Sequence, residues 1–138
     1  MSATAPEALP EATQYCPTTS WNKINSEEIL LLDVRETQEV EQLRFDVPNY
    51  LNIPLSQLED RFAEVPQEMP VIVACLDGSR SLKATYYLMF QGYSHVANMK
   101  FGLKRWVAKR FPVIGSPDAI EDSATGSCCS PADTGGCC

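Results

Sequence analysis

Positive charge is the scarce commodity in this 138-residue chain: eleven Lys and Arg stand against eighteen Asp and Glu, a formal net charge of −7. That balance supplies no basic patch dense enough to hold a nucleic-acid backbone or an anionic membrane, which excludes both as partners. Met1–Tyr15 contains no Lys or Arg and no apolar run, so it lacks the two parts that make a signal peptide. Nowhere do about eighteen apolar residues come together, the length a membrane-crossing helix needs. The chain is therefore expected in the cytoplasm. Histidine is almost missing as well. His95 stands alone and reads as a residue at the end of a strand rather than as a general base.

What is present begins with 44% apolar residues, enough for one globular domain with a real core. Six cysteines in a chain with no export signal read as reduced thiols used for chemistry or metal binding, not as a disulfide framework. Cys16 and Cys75 are isolated, whereas Cys128, Cys129, Cys137 and Cys138 crowd into the last eleven residues. Lys100–Arg110 holds five basic residues interleaved with Phe101, Leu103, Trp106 and Val107, the pattern of an amphipathic helix with a solvated charged face. A dock for an acidic partner is the second reading of that face.

The stretch that organises the rest runs from Val71 to Ser81. Val71-Ile72-Val73-Ala74 is an apolar run that stops at Cys75, and Leu76 to Ser81 is a short polar loop leading into a helix over Leu82–Gln91. Such a loop can turn backbone N–H groups inward as an anion-binding nest, with the helix dipole behind it. A cysteine there, with Arg80 nearby, stands in a nucleophile's surroundings. Neither Gly78 nor Arg80 has an evident structural reason at that spacing.

Cys75-Leu76-Asp77-Gly78-Ser79-Arg80-Ser81 resembles the C-x-x-G-x-R-S loop of single-domain rhodaneses. Leu32-Asp33-Val34-Arg35-Glu36 is similar to the D-V-R-E strand end of that family. Asn52-Ile53-Pro54-Leu55 is similar to its N-I-P-L, and Asn98 to Trp106 to its N-x-x-x-G-x-x-x-W. The resemblance covers roughly Thr18 to Val113. It departs at Phe45–Leu51, where the family usually carries G-H-I-x-G-A ahead of N-I-P-L. It implies an α/β fold, a rhodanese-like parallel sheet of about five strands flanked by helices on both faces, over residues 18–114. A flexible lead-in over 1–17 and a disordered, Cys-rich tail over 115–138 are expected on either side.

The residues agree with a parallel sheet. Strands are expected at Ile29–Val34, Tyr50–Ile53, Met69–Cys75 and His95–Asn98. Helices are expected at Gln38–Arg44, from a capping box at Ser56 through Val65, at Leu82–Gln91 with Gly92 as its cap, and at Gly102–Arg110, stopped by Pro112. Trp21–Glu28 is ambiguous between a strand and a helical turn. Leu82–Gln91, apolar nearly all round, is expected to be covered on both sides. Ligands of such sheets bind beyond the C-terminal strand ends, where Asp33 and Cys75 fall.

The resemblance implies that Cys75 attacks a sulfane sulfur, forms a persulfide and hands that sulfur to cyanide or a thiol. The scheme needs no cofactor. Backbone N–H groups from Leu76 to Ser81 would hold the anionic sulfur and Arg80 would attract an anionic donor. Asp77 opposes such a donor by on the order of 1 kcal/mol or more, which favours a persulfide on a partner protein over thiosulfate. Asp33 and Arg35 are expected as a structural ion pair beside the pocket, and Trp106 as core. Cys128, Cys129, Cys137 and Cys138 could relay sulfur from Cys75 or hold a soft ion such as Cu(I), Zn(II) or As(III), although their spacing is not a zinc pattern. Two other readings compete. A phosphatase or arsenate reductase of the Cys-loop type needs one more residue between Cys75 and Arg80, and a scaffold that only binds partners has no use for the cysteine.

Overall fold

In the computed structural model, which describes residues 12–116, three strands have no solvent-facing side, β6 (Val96–Met99) and two that lie beside one another. Every residue of β2 (Leu30–Asp33) and β5 (Val71–Ala74) is buried, as expected for central strands of a parallel sheet with helices on both faces. Around them the order along the chain is β1 (Thr13–Tyr15), α1 (Pro17–Ser26), β2, α2 (Thr37–Gln42), β3 (Leu43–Phe45) and β4 (Tyr50–Asn52). Then come α3 (Leu58–Arg61) between two 3-10 turns, β5, α4 (Ser79–Phe90), β6 (Val96–Met99), α5 (Gly102–Ala108) and β7 (Val113–Gly115).

Five strands form one parallel sheet in the order β1-β6-β5-β2-β4, with Asp33 opposite Ala74 and Val73 opposite Asn98. The expected architecture is thus the observed one. Alternation along the strands divides the core. Leu30, Leu32, Val34, Val71, Val73 and Cys75 face α3 and α4, while Leu31, Ile72 and Ala74 face α1, α5 and the β3–β7 ribbon. Trp106 is wholly buried on the second side, edge-on to Trp21 and Phe45, with its indole N–H donated to the Pro112 carbonyl.

Several local expectations need correction. Thr13–Tyr15 is not a loose lead-in but an edge strand, paired in parallel with Ala97–Met99, so the fold begins before residue 18. An edge strand needs only one neighbour, and its polar sequence gave no apolar signal. Trp21–Ser26 is helical because Pro17 starts α1 at its first turn and buries Ser20 and Ile24 on one face. Ser56 caps no helix; its hydroxyl donates to the Glu36 carboxylate, and the capping box that exists joins Glu36 and Glu39 at the start of α2. α4 buries only one face, that of Ser81, Ala84, Thr85 and Leu88, where small residues let it approach the sheet, while Phe90 is 74% exposed. Gly92 does end it, with positive φ and the paired Gly92→Met89 and Tyr93→Leu88 hydrogen bonds of a Schellman cap.

β7 was not expected. It pairs antiparallel with β3, Leu43 opposite Gly115, and the Ser116 N–H donates to the Gln42 carbonyl, so the boundary at 114 falls inside a strand. Residues 1–11 and 117–138 lie outside the described residues, and with them Cys128, Cys129, Cys137 and Cys138. Among the described residues no helix is long and apolar enough to cross a membrane.

Candidate active site

β5 ends at Ala74, and the chain must turn within four residues to start α4 at Ser79. Gly78 makes that turn at φ +97°, and a Cβ on it would lie 3.0 Å from the Phe101 nitrogen. The turn from β6 into α5 presses against the loop from the other side. Gly102, at φ +59°, leaves no room for a Cβ, which would stand 2.5 Å from the carbonyl oxygens of both Cys75 and Leu76. Those same carbonyls accept the first free N–H groups of α5, from Leu103 at 2.9 Å and Lys104 at 3.0 Å. Phe101 takes a left-handed conformation, uncommon for a bulky residue, at this junction.

Cys75 has no solvent exposure. Its Sγ accepts the Gly78 N–H at 3.0 Å and the Ser81 N–H at 3.3 Å. These donors lie in the turn and first turn of the twelve-residue α4, whose N-terminal dipole points the same way. An anionic sulfur here would be solvated by backbone in place of water. The thiol in turn donates to the Ser81 hydroxyl at 3.3 Å, and that hydroxyl donates onward to Asn98 Oδ1. Asn98 is oriented by its own amide, which donates to Gln14 Oε1 at 2.9 Å. A relay therefore runs from an exposed residue of β1 through the buried Asn98 of β6 and Ser81 of α4 to the sulfur.

The charged members of the loop are both engaged. Asp77 Oδ1 lies 3.9 Å from Sγ and accepts the Ser79 N–H at 3.0 Å and the Ser79 hydroxyl at 2.7 Å. Those bonds, the backbone one foremost, hold its carboxyl below the usual aspartate range. Arg80 donates Nη1 and Nη2 to the two oxygens of Glu39 at 2.8 and 3.0 Å. That pairing lowers Glu39 and raises Arg80 relative to their ordinary values. Gly78 and Arg80 thus do have structural reasons, a left-handed turn and an ion pair, which their spacing did not reveal. Leu76 serves the site through its carbonyl, with its side chain packed against the core beside α5.

Asp33, the last residue of β2, and Arg35 just after it form a buried pair. Arg35 Nε and Nη2 donate to Asp33 at 3.0 and 2.9 Å, the Arg35 N–H reaches the same carboxylate, and Nη2 also donates to the Leu43 carbonyl. Tyr50 adds its hydroxyl to Asp33 at 2.7 Å, and burial, reinforced by that carboxylate, pushes the phenol well above its usual range. Asn52 ties the carbonyls of Asp33 and Arg35 to β4. His95 lies at the opposite end of the sheet, just before β6, lining a depression of about 260 Å³ with Thr13, Lys23 and Glu27. Sequence reasoning missed Gln14, Glu39 and Tyr50, which act across distant elements. Asn98 was in view only as a motif letter.

The model of the rhodanese-like domain family matches residues 17–109. The chain is 33% identical over 90 residues to a sulfurtransferase of Allochromatium vinosum, covering 65% of this chain and 82% of that one. It is 34% identical over 88 residues to a putative sulfur carrier protein of Bacillus subtilis, covering 63% of this chain but only 46% of the longer relative. Among solved structures, the polysulfide-sulfur transferase homodimer of Wolinella succinogenes superposes with a TM-score of 0.68 at 24% identity, over 78% of this chain and 81% of that one, a likeness of fold.

Proposed function

The chain belongs to the rhodanese-like domain family, and on that premise we propose that Cys75 carries a sulfane sulfur between a donor and a thiol or cyanide acceptor. Sulfur transfer as a class is supported by its sulfurtransferase relatives. The observation that carries the role of Cys75 is the convergence of the Gly78 and Ser81 N–H groups on its Sγ at 3.0 and 3.3 Å. The Cys75 thiolate attacks the outer sulfur of a donor such as thiosulfate. The donor S–S bond breaks, sulfite leaves with the bonding electrons, and Cys75 bears a persulfide. The acceptor then attacks the terminal sulfur, forms thiocyanate or a new persulfide, and returns Cys75 as thiolate. Neither step changes the total electron count, and neither asks for a cofactor. Phosphate-ester chemistry is less well supported, because the loop arginine that would clamp phosphoryl oxygens is held by Glu39. Incubation with thiosulfate should add one sulfur atom to the Cys75 peptide, read by mass. Turnover that survives Cys75→Ser would overturn the assignment.

A second reading concerns the acceptor. Gly115 pairs with Leu43, whose carbonyl accepts from Arg35 beside the end of β2, so the described chain ends on the same rim as Cys75. Twelve peptide steps from Ser116 to Cys128 span at most about 40 Å. We propose the terminal cysteines as intramolecular sulfur acceptors or soft-metal ligands. Truncation after Ser116 should slow loss of the Cys75 persulfide in a single turnover and lower bound metal. Identical decay and metal content would remove this reading and leave the domain's own chemistry intact.

A further inference from the structure

Arg80 is the sole cation between Cys75 and Ser81, and its charge is already answered. The guanidinium and the Glu39 carboxylate meet fork to fork, at 2.8 and 3.0 Å, between the first turn of α4 and the surface helix α2. The two side chains are 31% and 35% exposed, so the pair sits at the rim while Cys75 is wholly enclosed below it. Nearer the sulfur, the Asp77 carboxylate lies 3.9 Å from Sγ with Ser79 as its hydrogen-bond partner, and Lys104 acts on it only through space.

Glu39 has another duty that needs no charge. Its Oε1 accepts the Glu36 backbone N–H at 2.9 Å, closing the capping box of α2. A glutamine oxygen would serve there equally well. What only a carboxylate does at this position is cancel Arg80. We propose that Glu39 determines donor specificity: by neutralising Arg80 it denies small free anions their attraction to the site, and it selects persulfides whose charge is balanced by the molecule that bears them, as on a partner protein. This inference rests on the sulfur-transfer reading above and refines its donor.

A dianion approaching an unpaired arginine at contact distance in a partly wet site is favoured by a kcal/mol or more, so release of Arg80 should be visible in KM. The test compares wild type with Glu39→Gln, using cyanide as acceptor and two donors. One is thiosulfate, a dianion; the other is cysteamine persulfide, whose ammonium offsets its terminal sulfur. Glu39→Gln should lower KM for thiosulfate roughly tenfold at low ionic strength with kcat little changed, and leave KM for cysteamine persulfide where it was. The gain should shrink as salt shortens the Debye length. In wild type, KM for thiosulfate should hardly respond to salt, a measurement that does not depend on any variant. The proposal is overturned if Glu39→Gln leaves the thiosulfate KM unaltered or shifts both donors alike, or if the wild-type KM rises steeply with salt. Absence of turnover with either donor in wild type would instead count against sulfur transfer itself.

Discussion

The carbonyl oxygen of Cys75 and the α-carbon of Gly102 are packed so closely that a Cβ on the glycine would stand 2.5 Å from that oxygen. The cysteine loop and the start of α5 are therefore one body, joined by the Leu103 and Lys104 N–H groups. Gly102→Ala must move backbone, not a side chain, and also strains a residue at φ +59°. It should cost about 2 kcal/mol or more and reduce the fraction of Cys75 that takes up sulfur. Urea unfolding and intact mass after thiosulfate measure the two effects. An unchanged midpoint would show that the two segments can separate freely.

Asn98→Ala leaves the Ser81 hydroxyl, fully buried, without its acceptor. An orphaned buried donor costs about 1–3 kcal/mol, part of which should appear as slower sulfur loading, roughly tenfold. Gln14→Ala, one bond further from the sulfur, should act in the same direction but more weakly, because Asn98 Nδ2 also approaches the Gly78 carbonyl. Equal loading rates in all three proteins would mean that the relay does not bear on the sulfur.

Asp77 has a folded-state value below its ordinary 3.8, set chiefly by the Ser79 N–H. Its contribution to stability is thus complete above that ordinary value and is lost as pH falls through the lower folded one. Asp77→Asn keeps an acceptor oxygen but cannot titrate. The melting temperatures of wild type and Asp77→Asn should differ at pH 6 and converge in acid below about 3.8. A gap that stays constant down to acid pH contradicts this account of the loop.

Breaking the Asp33–Arg35 pair is expected to be the costliest polar change in the domain. Asp33→Asn strands a guanidinium that is 2% exposed and removes charge from the partner of Tyr50. Loss of one member of a buried pair typically costs about 3–5 kcal/mol. Denaturant unfolding checks this, and a cost within experimental scatter would refute the buried-pair account.

The parallel sheet and the place of Cys75 at the end of its central strand were legible because both are written locally. Leu30–Leu32 and Val71–Ala74 are apolar runs of strand length, and Cys75 follows one of them directly. What escaped is long-range. Glu39 meets Arg80 across 41 residues, and Gln14 reaches Asn98 across 84, separations at which no periodicity or spacing carries a signal. β1 and β7 escaped for a related reason: each is three residues long and exists only because an edge was available to pair with. Ser56 misled because its sequence fits a cap, whereas the nearby Glu36 carboxylate offers its hydroxyl a tertiary partner.

The relay from Gln14 to Cys75 also bears on how the molecule comes into being. Its first residue is among the earliest described and lies 84 positions before the amide that it holds. The sulfur's shelter is thus closed by a contact of high sequence separation, among the slowest kinds to form because the intervening chain must first be brought together. Until the edge strand docks on β6, Asn98 Nδ2 lacks its Gln14 partner and keeps only the longer approach to the Gly78 carbonyl. Closing the edge of the sheet and completing the hydrogen-bond network around Cys75 are in this sense one event. In a chain whose β1 has not yet docked, the Gln14–Asn98 link of that network is still open.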